Sequence, residues 1–276
     1  MKVVPASNGW QWLSLGWGLF KRNPLGWLGL VMGYWMLIAL INEIPLVGAA
    51  ISTLLLPAFS MSFMAACVAA QGGTRPSLRM LLEGFQSRLS TLLVVGGLYL
   101  ISILMVLGIA SLLDGGTLFR WMVRGVSPSE SAIANGSVLG ALVLASVIAT
   151  PAFMAFWFAP VLAVWREMGA AQSMFYSFFA SLRNWRAFAV YGLVIAIAAL
   201  AFSLAVTVMA IAVRGNAAIL RGLMLGLTIG ILPTIFASFF YSYRDIFGTD
   251  VDTDSAVPTS NGIATAPPPS GSGPDI

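Results

Sequence analysis

The chain has 276 residues, of which 59% are apolar and 9% charged, with a net charge of +4. Soluble domains carry about 25% charged residues, so this composition excludes an ordinary soluble protein and indicates a polytopic membrane protein. The chain contains no His and one Cys, Cys67. These counts exclude a disulfide within the chain, acid–base catalysis by His and metal sites built from Cys and His.

Six apolar segments contain none of the 24 charged residues. A hydrocarbon core about 30 Å thick needs about 20 helical residues, and only helices or closed barrels satisfy the backbone in lipid. Strand alternation is absent, which disfavours a barrel. We therefore predict an all-α integral membrane protein with six transmembrane helices. The predicted spans, numbered one to six, are Leu25–Ile41, Leu46–Ala70, Ser90–Leu113, Gly136–Trp165, Ala187–Val213 and Gly222–Tyr243.

A shorter amphipathic stretch precedes spans one, three and five. Each stretch is too short or too polar to cross a bilayer, which predicts a helix lying in the membrane interface, its apolar side toward acyl chains or toward the bundle. The apolar positions are Trp10, Leu13, Trp17 and Phe20 in the first stretch, Leu78, Leu81, Phe85 and Leu89 in the second, and Met174, Phe175, Phe178, Phe179 and Leu182 in the third. In the third stretch the opposite positions are Ser173, Ser177, Ser181 and Asn184.

Spans two, four and six resemble one another. Leu56-Pro57-Ala58-Phe59, Thr150-Pro151-Ala152-Phe153 and Leu232-Pro233-Thr234-Ile235 fall at similar depths, and span four also contains Pro160. We expect these prolines to kink their helices. The chain is thus predicted to form three parallel pseudo-repeats, each an interfacial helix followed by a transmembrane hairpin. The repeat units are about 8–70, 76–165 and 171–244.

The last segment of the chain differs in character from the rest. Residues 248–276 are rich in Pro, Gly, Ser and Thr and have almost nothing to bury, which predicts a disordered tail after a membrane domain over residues 1–247. Its four Asp residues carry −4, so the membrane domain carries +8. Three of these, Asp250, Asp252 and Asp254, imitate the start of a calcium loop without its Gly and Glu.

Charge is distributed unequally between the two ends of the predicted bundle. The N-terminus, the second and fourth loops and the tail hold ten of the fourteen basic residues. By the positive-inside rule, this bias predicts that both termini face the cytoplasm.

The sequence lacks the usual signatures of catalysis. No GxSxG elbow, phosphate-binding glycine loop or acidic residue within a span occurs, so we expect a non-enzymatic protein without a cofactor or metal. Glu43 and Asp114, at the far ends of spans one and three, are interpreted as solvated loop carboxylates. Coupled transport usually needs ionisable groups in the membrane. A passive transporter or channel does not, and a path among the proline-kinked spans two, four and six is the alternative function.

Basic residues beside the helix ends are candidates for contact with lipid or with a membrane protein partner. The Arg-acid pairs Arg166-Glu167 and Arg244-Asp245 each follow an even-numbered span, where they could bind lipid phosphate or anchor helix depth. Because the basic residues are spread over short loops, we do not expect nucleic-acid binding. The candidate contact residues are Arg22, Arg166, Glu167, Arg183, Arg186, Arg244 and Asp245.

Several phrases resemble a family of uncharacterised multi-pass inner-membrane proteins of proteobacteria. They are Gly9-Trp10-Gln11-Trp12, Gly16-Trp17-Gly18-Leu19-Phe20-Lys21-Arg22-Asn23-Pro24, Leu56-Pro57-Ala58-Phe59-Ser60-Met61-Ser62-Phe63-Met64, Phe156-Trp157-Phe158-Ala159-Pro160, the stretch from Ser177 to Phe188, and Ser242-Tyr243-Arg244-Asp245-Ile246-Phe247-Gly248. The resemblance implies an inner-membrane protein of about six helices and supplies no catalytic residues. More distantly, the layout is similar to the membrane domain of some glycerophosphodiester phosphodiesterases.

Overall fold

The computed structural model describes residues 1–45, 47–212 and 217–248. The described residues form helices and no strands, with 84% of the structure helical. The α-helices are α1 Asn8–Arg22, α2 Pro24–Asn42, α3 Gly48–Gln71, α4 Leu89–Asp114, α5 Thr117–Arg124, α6 Glu130–Ala134, α7 Ser137–Trp157, α8 Ala159–Trp165, α9 Ala170–Arg183, α10 Trp185–Ala212 and α11 Ala217–Phe247. A 3₁₀ helix, η1, covers Leu78–Phe85.

Five helical stretches in the described residues are long and apolar enough to cross a bilayer. They coincide with predicted spans one to five and are Pro24–Asn42, Gly48–Gln71, Leu89–Leu112, Ser137–Trp165 and Trp185–Met209. The sixth predicted span falls within α11, and that crossing stays a prediction. The predicted tail from residue 249 onward lies outside the described residues.

The predicted interfacial helices are α1, η1 and α9. They pack along the middle and C-terminal parts of α3, α7 and α11, with η1 reaching the middle of α3. We call the end of the bundle formed by the C-terminal ends of α3, α8 and α11 the terminal face. The N-terminal segment reaches the same face, because the Lys2 backbone N–H donates to the Ile246 carbonyl oxygen at 2.8 Å. The described parts of the two ends of the chain therefore lie together.

Helix α1 buries a face that contains two glycines and exposes two of its Trp side chains. Gly9, Trp12, Gly16 and Leu19 are buried, which puts one residue per turn on a shared face. Trp10 and Trp17, two members of the predicted apolar stripe, are instead exposed on the outside of the bundle.

Helix α9 reverses the arrangement expected of a soluble amphipathic helix. Its buried residues are Ser173, Ser177, Ala180 and Ser181, whereas Phe175, Phe179 and Leu182 are exposed. In a bilayer this arrangement is favourable, because acyl chains solvate the large apolar side chains while small residues allow close helix contact. Of the two orientations expected for the interfacial helices, the larger apolar side chains of α9 take the one away from the bundle.

The 3₁₀ helix η1 packs against α3 through Gly84. A Cβ at Gly84 would overlap the Ala58 carbonyl oxygen, so only glycine fits. The Ser62 hydroxyl accepts a hydrogen bond from the Gly84 N–H at 3.1 Å and donates to the Leu81 carbonyl oxygen at 2.7 Å. Ser62 thereby satisfies backbone groups that a short 3₁₀ helix leaves free.

The helices η1 and α9 pack against the second span of the preceding predicted hairpin, whereas α1 packs against α11. Helix η1 packs on α3, α9 packs on α7, and α1 packs on α11. Gly84 meets α3 at Ala58 and Ser62, one and five residues after Pro57, while Gly16 meets α11 one and five residues after Pro233. The contact between α1 and α11 brings the first and last helices of the described residues together.

The fourth predicted span is interrupted between α7 and α8, at Phe158. The Phe158 N–H donates to the Ser177 hydroxyl at 2.8 Å, and that hydroxyl donates to the Met154 carbonyl oxygen at 2.8 Å. A side chain of α9 is thus inserted into the helical hydrogen-bond ladder next to Pro160, a recognised cause of a break. The α-helices continue through the other predicted kink positions, Pro57, Pro151 and Pro233.

Substitution of Gly16 tests the contact between α1 and α11. A Cβ at Gly16 would lie 2.6 Å from the Thr234 carbonyl oxygen and 2.8 Å from the Ser238 backbone nitrogen, whereas a Cβ at Gly18 meets nothing within 4 Å. We expect Gly16→Ala to destabilise the protein by about 1 to 3 kcal/mol because backbone atoms cannot move aside freely. Gly18→Ala, the matched control on the same helix, should stabilise it by about 0.5 to 1 kcal/mol. Thermal unfolding in detergent measures both, and equal midpoints would contradict the contact.

Candidate functional site

Two of the predicted contact residues join helix ends at the terminal face. The Arg166 guanidinium donates to the Phe247 carbonyl oxygen at 2.9 Å, which satisfies a free carbonyl at the end of α11. The Arg244 guanidinium donates to the Gln71 side-chain oxygen and lies over the Phe240 ring, 5.4 Å from its centroid. Arg166 and Arg244 therefore have partners within the protein.

Asp245 anchors the N-terminal helix. Its carboxylate accepts hydrogen bonds from the Asn8 amide and the Trp12 indole N–H, both at 2.8 Å. The neighbouring candidate Glu167 is exposed and has a φ of 52°, in the left-handed region. The pairs Arg166-Glu167 and Arg244-Asp245 thus have different roles, since three of the four residues contact other helices.

Other residues of the terminal face were not singled out by the sequence. The Arg88 guanidinium donates to the Ala163 and Met168 carbonyl oxygens at 2.9 and 3.3 Å, at the end of α8. The Gln71 amide donates to the Tyr241 hydroxyl at 3.1 Å. The one sequence feature that could have identified Arg88 and Gln71 is their position close beside predicted spans.

Asn184, between α9 and α10, holds the N-terminal segment in place. Its side-chain oxygen accepts from the Val4 N–H at 2.8 Å, and its amide donates to the Lys2 carbonyl oxygen at 3.1 Å. The amide also donates to the Ala180 carbonyl oxygen at 2.9 Å, which caps α9. As a result, the Lys2 backbone lies against Asn184, which stands between Arg183 and Arg186 in the sequence.

The residues around Asn184 form an exposed cluster that we call the basic corner, consisting of Lys2, Arg183, Arg186, Trp10 and Trp185. The three cations are exposed and form no ion pair within the described part of the chain. The indoles are 58% and 57% exposed, and the Arg186 guanidinium lies 5.7 Å from the centroid of the Trp185 ring. Gly9 packs on the backbone at Ala187, which places Trp10 beside the start of α10.

The remaining candidate, Arg22, ends α1 away from Asn184 and is exposed. Lys21, next to it, lies 5.9 Å from the centroid of the Trp17 ring.

On η1, partial burial raises the pKa of the Glu83 carboxyl above its ordinary value. Glu83 therefore takes up a proton more readily than an exposed carboxyl, so the terminal face becomes more positive as the pH falls.

The prediction that Asp114 is a solvated loop carboxylate was wrong. Asp114 is 8% exposed, and its carboxylate accepts from the Gly116 N–H at 2.9 Å and the Leu118 N–H at 2.5 Å. It caps the short helix α5, whose first N–H groups need acceptors. The acid is therefore structural.

A cavity of about 280 Å³ lies among the helices that contain the prolines at similar depths in predicted spans two, four and six. Its walls come from α3, α4, α7, α8 and α11. The lining residues are Leu56, Pro57, Ser60, Val95, Tyr99, Phe153, Phe156, Trp157, Pro160, Ile235, Phe236 and Phe239. The cavity is almost wholly apolar, and the Ser60 and Tyr99 side chains contribute hydroxyl groups to its lining.

The apolar helices and their arrangement define a multi-pass integral membrane protein. The chain is 34% identical over 253 residues to a probable inner membrane protein of Burkholderia thailandensis, and the match covers 89% of this chain and 93% of that protein. The chain belongs to the family of that protein. No protein-family model matches the chain. No solved structure matches it either. These comparisons give no support to the resemblance to the membrane domains of glycerophosphodiester phosphodiesterases.

Proposed function

We propose that this chain is a non-enzymatic protein of the bacterial inner membrane that binds an anionic lipid headgroup at the basic corner. The observation that carries the proposal is the convergence of Lys2, Arg183 and Arg186 beside two exposed indoles. Each basic residue near an anionic membrane surface contributes about 1 kcal/mol of attraction. Trp side chains are enriched at the depth of the headgroups, so the corner combines both features of an interfacial lipid site.

The basic corner differs from Arg166, Arg244 and Asp245 in being free to bind. Arg166, Arg244 and Asp245 already bond within the protein. Lys2, Arg183 and Arg186 are held near one another through Asn184, so binding does not have to gather them from separate loops. A membrane protein partner could use the same surface, but a lipid phosphate matches three cations beside indoles without requiring shape complementarity.

The repeated packing supports the proposed organisation into three pseudo-repeats. Gly16 and Gly84 meet their partner helices at equivalent positions relative to Pro233 and Pro57. In the third case Ser177 contacts Met154 and Phe158, which are likewise four residues apart. We infer that each unit places its interfacial helix on the hairpin of the preceding unit, with the first unit placed on the last.

The cavity bears on the alternative function, a passive transporter or channel. It lies among α3, α7 and α11, where a path was predicted, but its lining is apolar and its volume is about 280 Å³. A polar solute would lose its hydration there without replacement hydrogen bonds. The cavity therefore favours an apolar occupant over passage of a polar solute, and lipid binding stays the leading proposal.

The proposal requires the terminal face to lie in the cytoplasm, where anionic headgroups attract basic segments. A pair of reporters fused after residue 248, one active only in the cytoplasm and one only in the periplasm, tests this. We expect activity from the cytoplasmic reporter alone. Activity of the periplasmic reporter would contradict the orientation.

Lipid binding is tested by native mass spectrometry of the full-length protein with phosphatidylglycerol. We expect the double variant Arg183→Gln/Arg186→Gln to lose about tenfold or more in affinity, because two charges near the surface contribute about 2 kcal/mol. The charge-matched control is Arg75→Gln/Arg79→Gln, which changes two exposed basic residues of the same face away from the corner. The control should keep most of the bound lipid.

Variants of the internally bonded residues separate binding from folding. Arg166→Ala and Arg244→Ala should lower the thermal unfolding midpoint while the folded protein still binds lipid. Equal lipid loss in both double variants, or no loss in either, would contradict a site at the basic corner. Loss of a copurifying protein instead of lipid would assign the surface to a partner.

A further inference from the structure

We propose that the cavity among α3, α7 and α11 binds a membrane-soluble quinone, a flat apolar ring that carries carbonyl oxygens. The proposal is independent of the basic corner. It rests on three properties of the cavity: its two unpaired hydroxyls, their depth in the membrane and its aromatic walls.

The two hydroxyls provide hydrogen-bond donors without partners. Neither Ser60 nor Tyr99 forms a hydrogen bond with any described residue, although both line the cavity. Several other helical hydroxyls bond to the carbonyl four residues earlier, as Ser146 does with Leu142 and Ser102 with Leu98. An unpaired hydroxyl in an apolar environment costs free energy, so these two donors point to a ligand that supplies an acceptor.

The depth of the cavity restricts which ligand can do so. Ser60 is the thirteenth of the 24 residues of α3, which places it near the middle of that span. At a rise of 1.5 Å per residue, it lies roughly 18 Å from either end of the helix. A phospholipid offers only hydrocarbon at this depth, because its ester and phosphate oxygens stay at the interface. The matching molecule is one that carries oxygen acceptors to the membrane centre on an apolar body, as a quinone does.

The walls fit such a ring. Half of the lining residues are aromatic, and aromatic side chains favour offset or edge-to-face contact with a planar ring. The volume of about 280 Å³ is near the lower end of ordinary ligand pockets, which suits a ring whose tail extends outside. Two lining residues, Leu56 and Phe153, are 38% and 52% exposed, so the cavity wall reaches the outer surface of the bundle there. An apolar tail would leave past them into the bilayer.

Adjacent valines of α4 provide a matched pair of variants. Val95 lines the cavity and is 1% exposed, whereas Val94 is 53% exposed on the outside. Isothermal titration of the detergent-solubilised full-length protein with decylubiquinone should show saturable binding. We expect Val95→Phe to weaken this binding at least tenfold and Val94→Phe to leave it within twofold of the unsubstituted protein. Saturable binding that survives Val95→Phe, or its absence from the unsubstituted protein, would overturn the proposal.

The hydroxyl variants keep the test decisive if Val95→Phe does not fold. Ser60→Ala and Tyr99→Phe remove one donor each without adding volume, and each should weaken binding by about threefold to tenfold, the loss of one hydrogen bond. Unchanged affinity in both folded variants would overturn the proposal.

A phosphatidylglycerol with a photoreactive acyl chain tests whether a phospholipid, rather than a quinone, occupies the cavity. Chain crosslinks at cavity residues that decylubiquinone does not displace would assign the cavity to phospholipid.

Discussion

The packing of α1 on α11 is the contact on which the terminal face depends. Gly16 allows the two backbones to approach, and Asp245 then accepts hydrogen bonds from Asn8 and Trp12. With α1 in place, the N-terminal segment reaches Asn184, and Lys2 joins the basic corner. The N-terminal segment is held both by α1 and by its own hydrogen bonds to Ile246 and Asn184. Loss of the helix contact would therefore release the Trp10 indole from the corner and leave Lys2 held by those hydrogen bonds alone.

Lipid as solvent explains why α9 buries its small, polar side. In water, Phe175 and Phe179 would turn inward and the serines outward, but acyl chains solvate apolar rings as well as a protein core does. The inward serines then bond to backbone groups that a broken helix leaves free, as Ser177 does between Met154 and Phe158. The same environment leaves the large apolar side chains outside, at the depth where the proposed lipid site lies.

The local sequence pattern was sufficient to predict where the helices lie. Contacts between distant segments of the chain could not be predicted from it. Apolarity and length located five helices able to cross a bilayer in the described residues, and a helix also occurs at each of the three stretches that precede the odd-numbered spans. The orientation of those helices depends on whether lipid or protein covers each side, which periodicity cannot distinguish. Asp114 was misjudged because the N–H groups that donate to its carboxylate lie at the start of a short helix that carries no strong sequence signal. Likewise, Arg244 and Gln71 are joined across 173 positions of the chain, beyond the reach of any local rule.

Intramolecular crosslinking in membranes tests the closure of the first helix on the last most directly. In a Cys67→Ala background, Asn8→Cys and Asp245→Cys place two thiols where the side chains now touch at 2.8 Å. A short thiol-reactive crosslinker should join them within one chain, while the control pair Asn8→Cys and Glu43→Cys, at opposite ends of α1 and α2, should not react with each other. A crosslink that forms only between two chains, or equally in both pairs, would contradict the closed arrangement.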